Sequence, residues 1–233
     1  MNFAVILAGG IGTRMGSALP KQYIVVEGKP VLMHTLERFQ TCDAIDKIVI
    51  VANEVWRADI QQWLEQYGIT KFQAFADPGP SRQDSVYSGL TVCKEYATGE
   101  KDIVVVHDAA RALVTPTLIS TLVAGVEGYD GCISVLPIKD AIFYSKTGEA
   151  IDSLVDKATI FTAQTPECFY LLPFWQINHD ATPYEREVAY SNYEMGVKNN
   201  WRIHICPGDE NNFKLTTPAD MDRMISLLRA GKA

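Results

Sequence analysis

Residues 3–16 read FAVILAGGIGTRMG, an apolar run followed at once by a glycine-rich loop. The run from Phe3 to Leu7 is continuous and partly β-branched, as parallel strands covered on both faces tend to be. The glycines at positions 9, 10 and 12 let the backbone approach a ligand closely and point N–H groups at anionic oxygens. This stretch predicts an α/β sheet that binds an anion at its carboxyl edge.

Two known phosphate loops can be compared with this segment. A dinucleotide loop of the form G-x-G-x-x-G would begin at Gly10, but Met15 occupies the position of its third glycine. The Gly-Lys-Ser/Thr that a P-loop requires does not occur. The loop therefore belongs to neither class, and an NAD-dependent oxidoreductase on a similar sheet becomes the less favoured alternative.

Two cations flank the glycine loop. Arg14 lies within it, and Lys21 follows in the sequence Leu19-Pro20-Lys21-Gln22. Cations beside a backbone anion site suit a polyphosphate whose charge must be neutralised during reaction. The plainer interpretation is a glycine-rich turn with surface cations, and the combination of loop, Arg14 and Lys21 favours nucleotide binding.

The rest of the chain alternates between short apolar runs and amphipathic segments of helix length, which predicts one doubly wound, mostly parallel sheet over residues 1–233. Predicted strands are Phe3–Leu7, Lys47–Val51, Lys71–Phe75, Ile103–Val106, Cys132–Leu136 and Arg202–Cys206. Predicted helices are Pro30–Phe39, Ala58–Tyr67, Arg82–Tyr96, Pro116–Val126, Pro166–Asn178, Glu187–Asn199 and Pro218–Arg229. Between about residues 137 and 163 the alternation breaks, and the turn Lys146-Thr-Gly-Glu predicts a protruding β-hairpin arm.

Composition excludes several classes of partner. The 233 residues carry a net charge of −7, so duplex nucleic acid and anionic membranes are not expected as main partners. No apolar run approaches the ~20 residues of a membrane-spanning helix. The five cysteines are scattered without metal spacing, and no basic segment precedes the first strand. We therefore expect reduced thiols, no signal peptide and a cytoplasmic location.

Several motifs in order resemble a known family. Leu7-Ala-Gly-Gly-x-Gly-Thr-Arg is similar to the loop of nucleotidyltransferases that couple an NTP to a phosphorylated sugar or polyol. The short spacing to Leu19–Tyr23 resembles the polyol-phosphate cytidylyltransferase branch, which includes the 2-C-methyl-D-erythritol 4-phosphate and ribitol-5-phosphate enzymes. The resemblance continues in four further segments along the chain: Arg82–Val86, Val106–Arg111, Gln164–Pro166 and Asn212–Pro218.

The resemblance implies a Rossmann-like sheet of the nucleotide-diphospho-sugar transferase type and a transfer of CMP from CTP to a polyol phosphate. Arg14 and Lys21 would stabilise the α-phosphate in the transition state, and Asp108, Arg111 and Lys157 would bind the acceptor. The implied nucleotide-binding residues are Leu7, Ala8, Gly9, Gly10, Ile11, Gly12, Thr13, Gly79, Pro80, Arg82, Ser85 and Lys214. Such enzymes serve isoprenoid or teichoic acid biosynthesis.

Two residues at the end of the predicted strand Ile103–Val106 have open roles. Asp108 could hold Mg²⁺ on the triphosphate oxygens, or it could cap the turn that follows. His107 is expected to be a buried, hydrogen-bonded histidine, since the reaction requires no proton abstraction. We expect Arg82 and Asp84 to order the turn of residues 79–85 and to cap the helix that it precedes.

The arm departs from the pattern of the family. Ala141 stands where the methylerythritol branch has Thr, and Lys157 stands where an Arg is expected, which keeps the charge but loses the bidentate fork. The segment from Tyr184 to Tyr193 also lacks an expected Thr-Asp-Glu run. We lean to ribitol 5-phosphate as acceptor and expect a homodimer through the arm. Open alternatives are a sugar-1-phosphate nucleotidyltransferase that uses another NTP and a non-catalytic module.

Overall fold

A computed structural model describes residues 1–10, 19–189 and 191–231. A seven-stranded sheet organises this part of the chain. Its strands are β1 Asn2–Leu7, β4 Lys47–Val51, β5 Phe72–Ala76, β6 Ile103–Asp108, β7 Gly131–Pro137, β10 Phe161–Tyr170 and β11 Ile203–Pro207. They lie in the order β11-β7-β10-β6-β1-β4-β5. Small two-stranded sheets are formed by β2 Val25–Val26 with β3 Lys29–Pro30 and by β8 Ile142–Tyr144 with β9 Ser153–Val155.

Helices cover both faces of the large sheet. They are α1 Val31–Gln40, α2 Glu54–Gln66, α3 Arg82–Glu95, α4 Pro116–Ala124, α5 Leu171–Asp180, α6 Pro183–Val188, α7 Asn192–Lys198 and α8 Pro218–Arg229. Alternate residues of β1 enter two separate cores, with Ala4 and Ile6 on the face of α1, α2 and α4 and with Phe3 and Val5 on the face of α3 and α5. The predicted doubly wound α/β sheet is confirmed, because a strand buried on both faces must be apolar along its whole length.

The central strand β1 pairs in parallel with β4 on one side and β6 on the other. After β1 the chain first forms β4 and β5 on one side of this strand. It then crosses to the other side to form β6 and the strands beyond it. In open α/β sheets a crevice forms at such a reversal, outside the carboxyl ends of the strands. Here those ends are Leu7, Val51 and Asp108.

Two predicted helices are wrong. Residues 166–170 belong to β10, which runs antiparallel between β6 and β7, and α5 starts only at Leu171. Pro166 resembles a helix start, but the segment fills a slot in the sheet, with an irregular register between Gln164 and Glu167. The predicted helix over residues 187–199 is instead α6 and α7, each with its own N-cap, at Thr182 and Ser191. Side-chain caps satisfy the first N–H groups of each helix separately.

Other local predictions hold. Thr115 caps α4 with Pro116 at its first position, and the predicted arm contains the antiparallel hairpin of β8 and β9. Within the described residues no helix has the length and apolarity needed to cross a membrane.

Candidate active site

A cleft of about 710 Å³ opens at the carboxyl ends of β1, β4 and β6. It brings together ten of the residues predicted to form a site. These lining residues are Leu7, Gly9, Gly10, Lys21, Gly79, Pro80, Arg82, Ser85, Asp108 and Lys214. Ile11, Gly12, Thr13 and Arg14 lie outside the described residues. The cleft therefore lies where a wound sheet places its ligand.

The backbone carbonyls at the start of the glycine loop are tied back by side chains. Gln22 donates from Nε2 to the oxygens of Ala8 and Gly10 at 2.6 and 2.7 Å, and Asn53 donates to the oxygen of Gly9 at 3.0 Å. Tyr23 adds a 3.0 Å bond from its hydroxyl to Ala8. With their carbonyls engaged in this way, Ala8, Gly9 and Gly10 do not present free acceptor oxygens to an anion in the cleft.

Two glycines are required by close packing at the rim. A Cβ at Gly9 would lie 2.5 Å from Cβ of Pro78, and a Cβ at Gly79 would lie 2.3 Å from Cβ of Asp84. Both distances are far below any allowed contact. Only glycine lets these backbone segments come so close to their neighbours and to a ligand.

The turn of residues 79–85 is held by the start of α3. Ser81 and Asp84 form a capping box, and Ser85 accepts from the N–H of Gly79 at 3.0 Å. The expected role of Asp84 as a capping residue is confirmed. Arg82 has a different place from the one expected, because its side chain turns away from the cap and toward Asp108.

Lys21 lies in a short 3₁₀ turn that also borders the cleft. Its Nζ donates to the carbonyl oxygen of Leu215 at 2.6 Å, which joins the first part of the chain to the segment before α8. The same segment carries Lys214 and is attached to the end of β6 by a bond from the N–H of Leu215 to the oxygen of Ala110. Both lysines thus border one cleft although they are far apart in sequence.

Asp108 is the centre of a cationic cluster. Its carboxylate lies 2.8 Å from Nζ of Lys214, 3.6 Å from Arg82 and 3.8 Å from Arg111. Burial favours the protonated form, but Arg82, Lys214 and Arg111 together outweigh it and hold the pKa of Asp108 well below its usual range. Asp108 is therefore ionised at neutral pH.

His107 lies behind Asp108 and is completely buried. Its Nε2 faces the carbonyl oxygen of Arg111 at 3.0 Å, so this nitrogen carries the proton, and its Nδ1 accepts from the hydroxyl of Thr165 at 3.1 Å. Burial lowers the pKa of His107 to about 4. The expectation of a buried, hydrogen-bonded histidine is confirmed.

Comparison with known proteins identifies the family. The sequence model of IspD, 2-C-methyl-D-erythritol 4-phosphate cytidylyltransferase, matches residues 2–229.

The chain belongs to the IspD family.

Membership makes the chain a CTP-using cytidylyltransferase of polyol phosphates. Two relatives differ in the acceptor that their names give. The chain is 31% identical to the ribitol-5-phosphate cytidylyltransferase of Streptococcus agalactiae serotype Ia, over 94% of this chain and 92% of the relative. It is 36% identical to the 2-C-methyl-D-erythritol 4-phosphate cytidylyltransferase of Rubrobacter xylanophilus, over 97% of this chain and 94% of the relative.

Solved structures agree on the fold. The 4-diphosphocytidyl-2C-methyl-D-erythritol synthase of Anaerococcus prevotii superposes with a TM-score of 0.82 at 20% identity, covering 98% of both chains. The 2-C-methyl-D-erythritol 4-phosphate cytidylyltransferase of Thermus thermophilus gives 0.73 at 22% identity, covering 98% of this chain and 100% of its own. At such identities the likeness concerns the fold, which is that of IspD proteins.

A magnesium ion on Asp108 stays a prediction. No group of three or more His, Cys, Asp and Glu side chains among them lies close enough to hold a metal. Asp108 is the one carboxylate among the described residues that line the cleft, and Lys214, Arg82 and Arg111 already surround it. In proteins that act on phosphates, Mg²⁺ is usually bound through one or two carboxylates together with the substrate, and Asp108 could supply such a carboxylate.

Lys157 lies apart from the cleft of its own chain, on the arm. It follows β9 and donates to the carbonyl oxygen of Lys139 at 2.8 Å, with both residues exposed. Ala141 is exposed beside them. The acceptor-binding role of Lys157 stays a prediction.

Sequence reasoning assigned no role to four buried or half-buried polar residues that line the cleft or are connected to its lining by hydrogen bonds: Gln22, Asn53, Glu167 and Asn192. Gln22 belongs to the motif Leu19-Pro20-Lys21-Gln22, but the motif alone does not indicate what its side chain binds. Glu167 carried a usable signal, since a carboxylate beside Cys168 and Phe169 is unusual in a buried apolar run. Asn53 and Asn192 had none, because an isolated Asn most often marks a turn or a cap.

Proposed function

We propose that this protein transfers CMP from CTP to the phosphate of ribitol 5-phosphate, giving CDP-ribitol and pyrophosphate. The observation that carries the proposal is the division of one cleft into two walls. One wall has the start of the glycine loop together with Gly79 and Ser85, and the other has the cations around Asp108. A nucleotide and a second anionic substrate fit these two walls.

On the nucleotide wall, the triphosphate lies against the N–H groups of the glycine loop, and Gly79 and Ser85 contact the base and ribose. Lys21, together with Arg14, acts on the α-phosphate. Charge on the equatorial and bridging oxygens grows as the acceptor attacks, so preformed cations stabilise the transition state more than bound CTP.

On the acceptor wall, the phosphate of the polyol binds Arg82, Arg111 and Lys214, which Asp108 holds in place. An oxygen of this phosphate attacks the α-phosphorus of CTP while the bond to pyrophosphate breaks. The nucleophile is already an anion, so no base and no covalent enzyme intermediate is required. Catalysis consists of positioning and charge neutralisation.

The choice of ribitol 5-phosphate rests on the arm, on the glycine loop and on the relatives. Ala141 and Lys157 depart from the residues expected of the methylerythritol branch. Leucine and glycine also stand at positions 7 and 9 of Leu7-Ala-Gly-Gly, where that branch more often has Pro-Ala-Ala-Gly. Several relatives that match nearly the whole chain are named ribitol-5-phosphate cytidylyltransferases. The second candidate acceptor is 2-C-methyl-D-erythritol 4-phosphate, which the 36% identity to the Rubrobacter enzyme favours.

The proposal includes a homodimer in which each arm brings Lys157 to the acceptor wall of the other chain. Support comes from the exposed apolar side chains of the hairpin, which a partner would cover. A cytoplasmic location is proposed as well, because all five cysteines are buried free thiols.

A pyrophosphate-release screen tests the proposal. CTP, ATP, GTP and UTP are each combined with ribitol 5-phosphate or 2-C-methyl-D-erythritol 4-phosphate. Fastest turnover with CTP and ribitol 5-phosphate is expected, and CTP should raise the melting temperature more than NAD or the other nucleotides. Ligand at 100 times its Kd adds about 2.7 kcal/mol. Turnover with methylerythritol phosphate alone would replace the first acceptor by the second.

A further inference from the structure

Glu167 is a buried carboxylate for which the proposed reaction has no use. It lies in β10, opposite Val106 of β6 and Ile133 of β7, and only 3% of its surface is exposed. Burial raises the pKa of Glu167, while the guanidinium groups of Arg82 and Arg111 and a hydrogen bond from Asn192 act against that rise. A carboxylate in such a place is costly unless its hydrogen bonds are satisfied.

Asn192 connects this carboxylate to Arg82. The amide is fully buried, its Nδ2 donates to Oε2 of Glu167, and its Oδ1 accepts from Nη1 of Arg82 at 3.4 Å. An ionised carboxylate only accepts hydrogen bonds and a guanidinium only donates them, so neither can exchange roles. The orientation of the amide between them is therefore fixed by its two neighbours.

The other side of the Arg82 guanidinium faces the cleft. Its Nη2 lies 3.6 Å from Oδ1 of Asp108, and 30% of the side chain is exposed. Lys214 and Arg111 share the same carboxylate. The Arg82 guanidinium is thus held on its buried side by Asn192 and on its cleft side by Asp108. A substrate phosphate that binds the cluster would therefore contact a guanidinium whose orientation is already fixed.

We propose that Glu167, acting through Asn192, is a positioning residue that sets Arg82 for the acceptor phosphate. The inference rests on the proposed function, since it assigns Arg82 to the acceptor wall rather than to CTP. Three residues form this relay: the carboxylate of Glu167, the amide of Asn192 and the guanidinium of Arg82. Together they connect the centre of the sheet to the cleft. Its loss affects binding of the acceptor and leaves binding of CTP unchanged.

The first test removes the amide. Asn192→Leu should raise the KM for the acceptor about tenfold, the order expected when a hydrogen bond to a charged group is lost, with the KM for CTP unchanged. Both ribitol 5-phosphate and 2-C-methyl-D-erythritol 4-phosphate are assayed. The matched control is Asn178→Leu, because Asn178 is equally buried and bonds Gln83 and Phe174 without contacting Arg82. This control should lower the melting temperature without changing either KM.

The second test reverses the relay. Asn192→Asp alone sets two carboxylates against each other and should raise the KM for the acceptor. Adding Glu167→Gln places an amide at position 167, and this amide can donate to the new carboxylate at position 192. The other oxygen of that carboxylate can still accept from Arg82. The double variant Glu167→Gln/Asn192→Asp should therefore recover the KM for the acceptor to within about threefold of the wild type. A merely structural role predicts no such rescue.

The third test asks whether the effect passes through Arg82. In an Arg82→Ala background, Asn192→Leu should add almost nothing to the KM for the acceptor, since coupled residues are not additive. Additive effects, a raised KM for CTP instead, or failure of the double variant to recover would each overturn the inference. A wild-type enzyme that turns over neither acceptor with CTP would overturn the proposed function instead, which keeps the two failures distinct.

Discussion

Lys21 is the single residue on which the proposed chemistry depends most directly. Its ammonium group lies on the cleft wall, 2.6 Å from the oxygen of Leu215. Replacement by Ala should lower kcat by about 10²–10³, because one preformed charge is lost at the α-phosphate transition state. The Kd of CTP, measured by calorimetry, should change much less. A change confined to the KM for CTP would make Lys21 a ground-state binder.

Gln22 is a second single residue on which CTP binding is expected to depend, because its side chain holds the backbone at the start of the glycine loop. Gln22→Leu leaves the oxygen of Gly10 without its amide donor and the oxygen of Ala8 with the Tyr23 hydroxyl alone. An unsatisfied buried acceptor costs about 1–3 kcal/mol. We expect the Kd of CTP to rise at least about tenfold, since the loop N–H groups lose their fixed direction. The control Tyr23→Phe removes only the second donor to Ala8 and should have a smaller effect. Equal effects of the two variants would count against the role of Gln22.

Burial of His107 makes the free energy of unfolding depend on pH. Its pKa is about 4 in the folded protein and 6.5 in its ordinary state, so between these values the unfolded chain binds the extra proton. The stabilisation is therefore present above pH 6.5 and is lost as the pH falls toward 4. His107→Gln should flatten the decline of melting temperature over that window. His34, whose pKa burial also lowers, remains in both proteins. Parallel declines would exclude His107 as the source.

At the scale of elements, the hairpin of β8 and β9 presents an apolar pair to solvent. Phe143 and Leu154 stand directly opposite each other and are 55% and 83% exposed. A two-stranded hairpin is marginally stable alone, so a partner surface is expected to cover it. Phe143→Ser/Leu154→Ser should weaken self-association in sedimentation experiments with little change in the fold measured by circular dichroism. Val55→Ser, which alters an 80% exposed side chain on α2, is the control and should leave self-association unchanged.

For the whole molecule, the proposed shared site can be tested by mixing two inactive chains. Lys21→Ala and Lys157→Ala homodimers should each be nearly inactive. After dissociation and reassociation about half of the dimers are hybrids with one intact site, which gives roughly a quarter of wild-type activity. No recovery, with hybrids verified by native mass spectrometry, would separate Lys157 from the partner's cleft. A monomeric wild type would exclude the shared site.

Local pattern was sufficient for much of the fold. The strands that pair in parallel are buried on both faces, so their sequences are continuous apolar runs that stand out without tertiary information. β10 differs from the predicted helix because Pro166, which lies inside the strand, resembles the first residue of a helix. Pairing with β6 and β7 on its two sides decides that this segment is a strand and not a helix.

The site divides in the same way. The glycine loop and Lys21 are recognisable in the sequence because phosphate binding favours glycines and a cation directly after a strand. Asp108 and Lys214 gain a role only from the resemblance to the family, since an isolated Asp or Lys also suits a cap or the surface. The relay of Glu167, Asn192 and Arg82 was decided only by the tertiary structure. Its members come from β10, α7 and α3, and a buried polar side chain acquires a role only from the neighbour that satisfies it. No single segment carries that information, since the partner lies elsewhere in the chain.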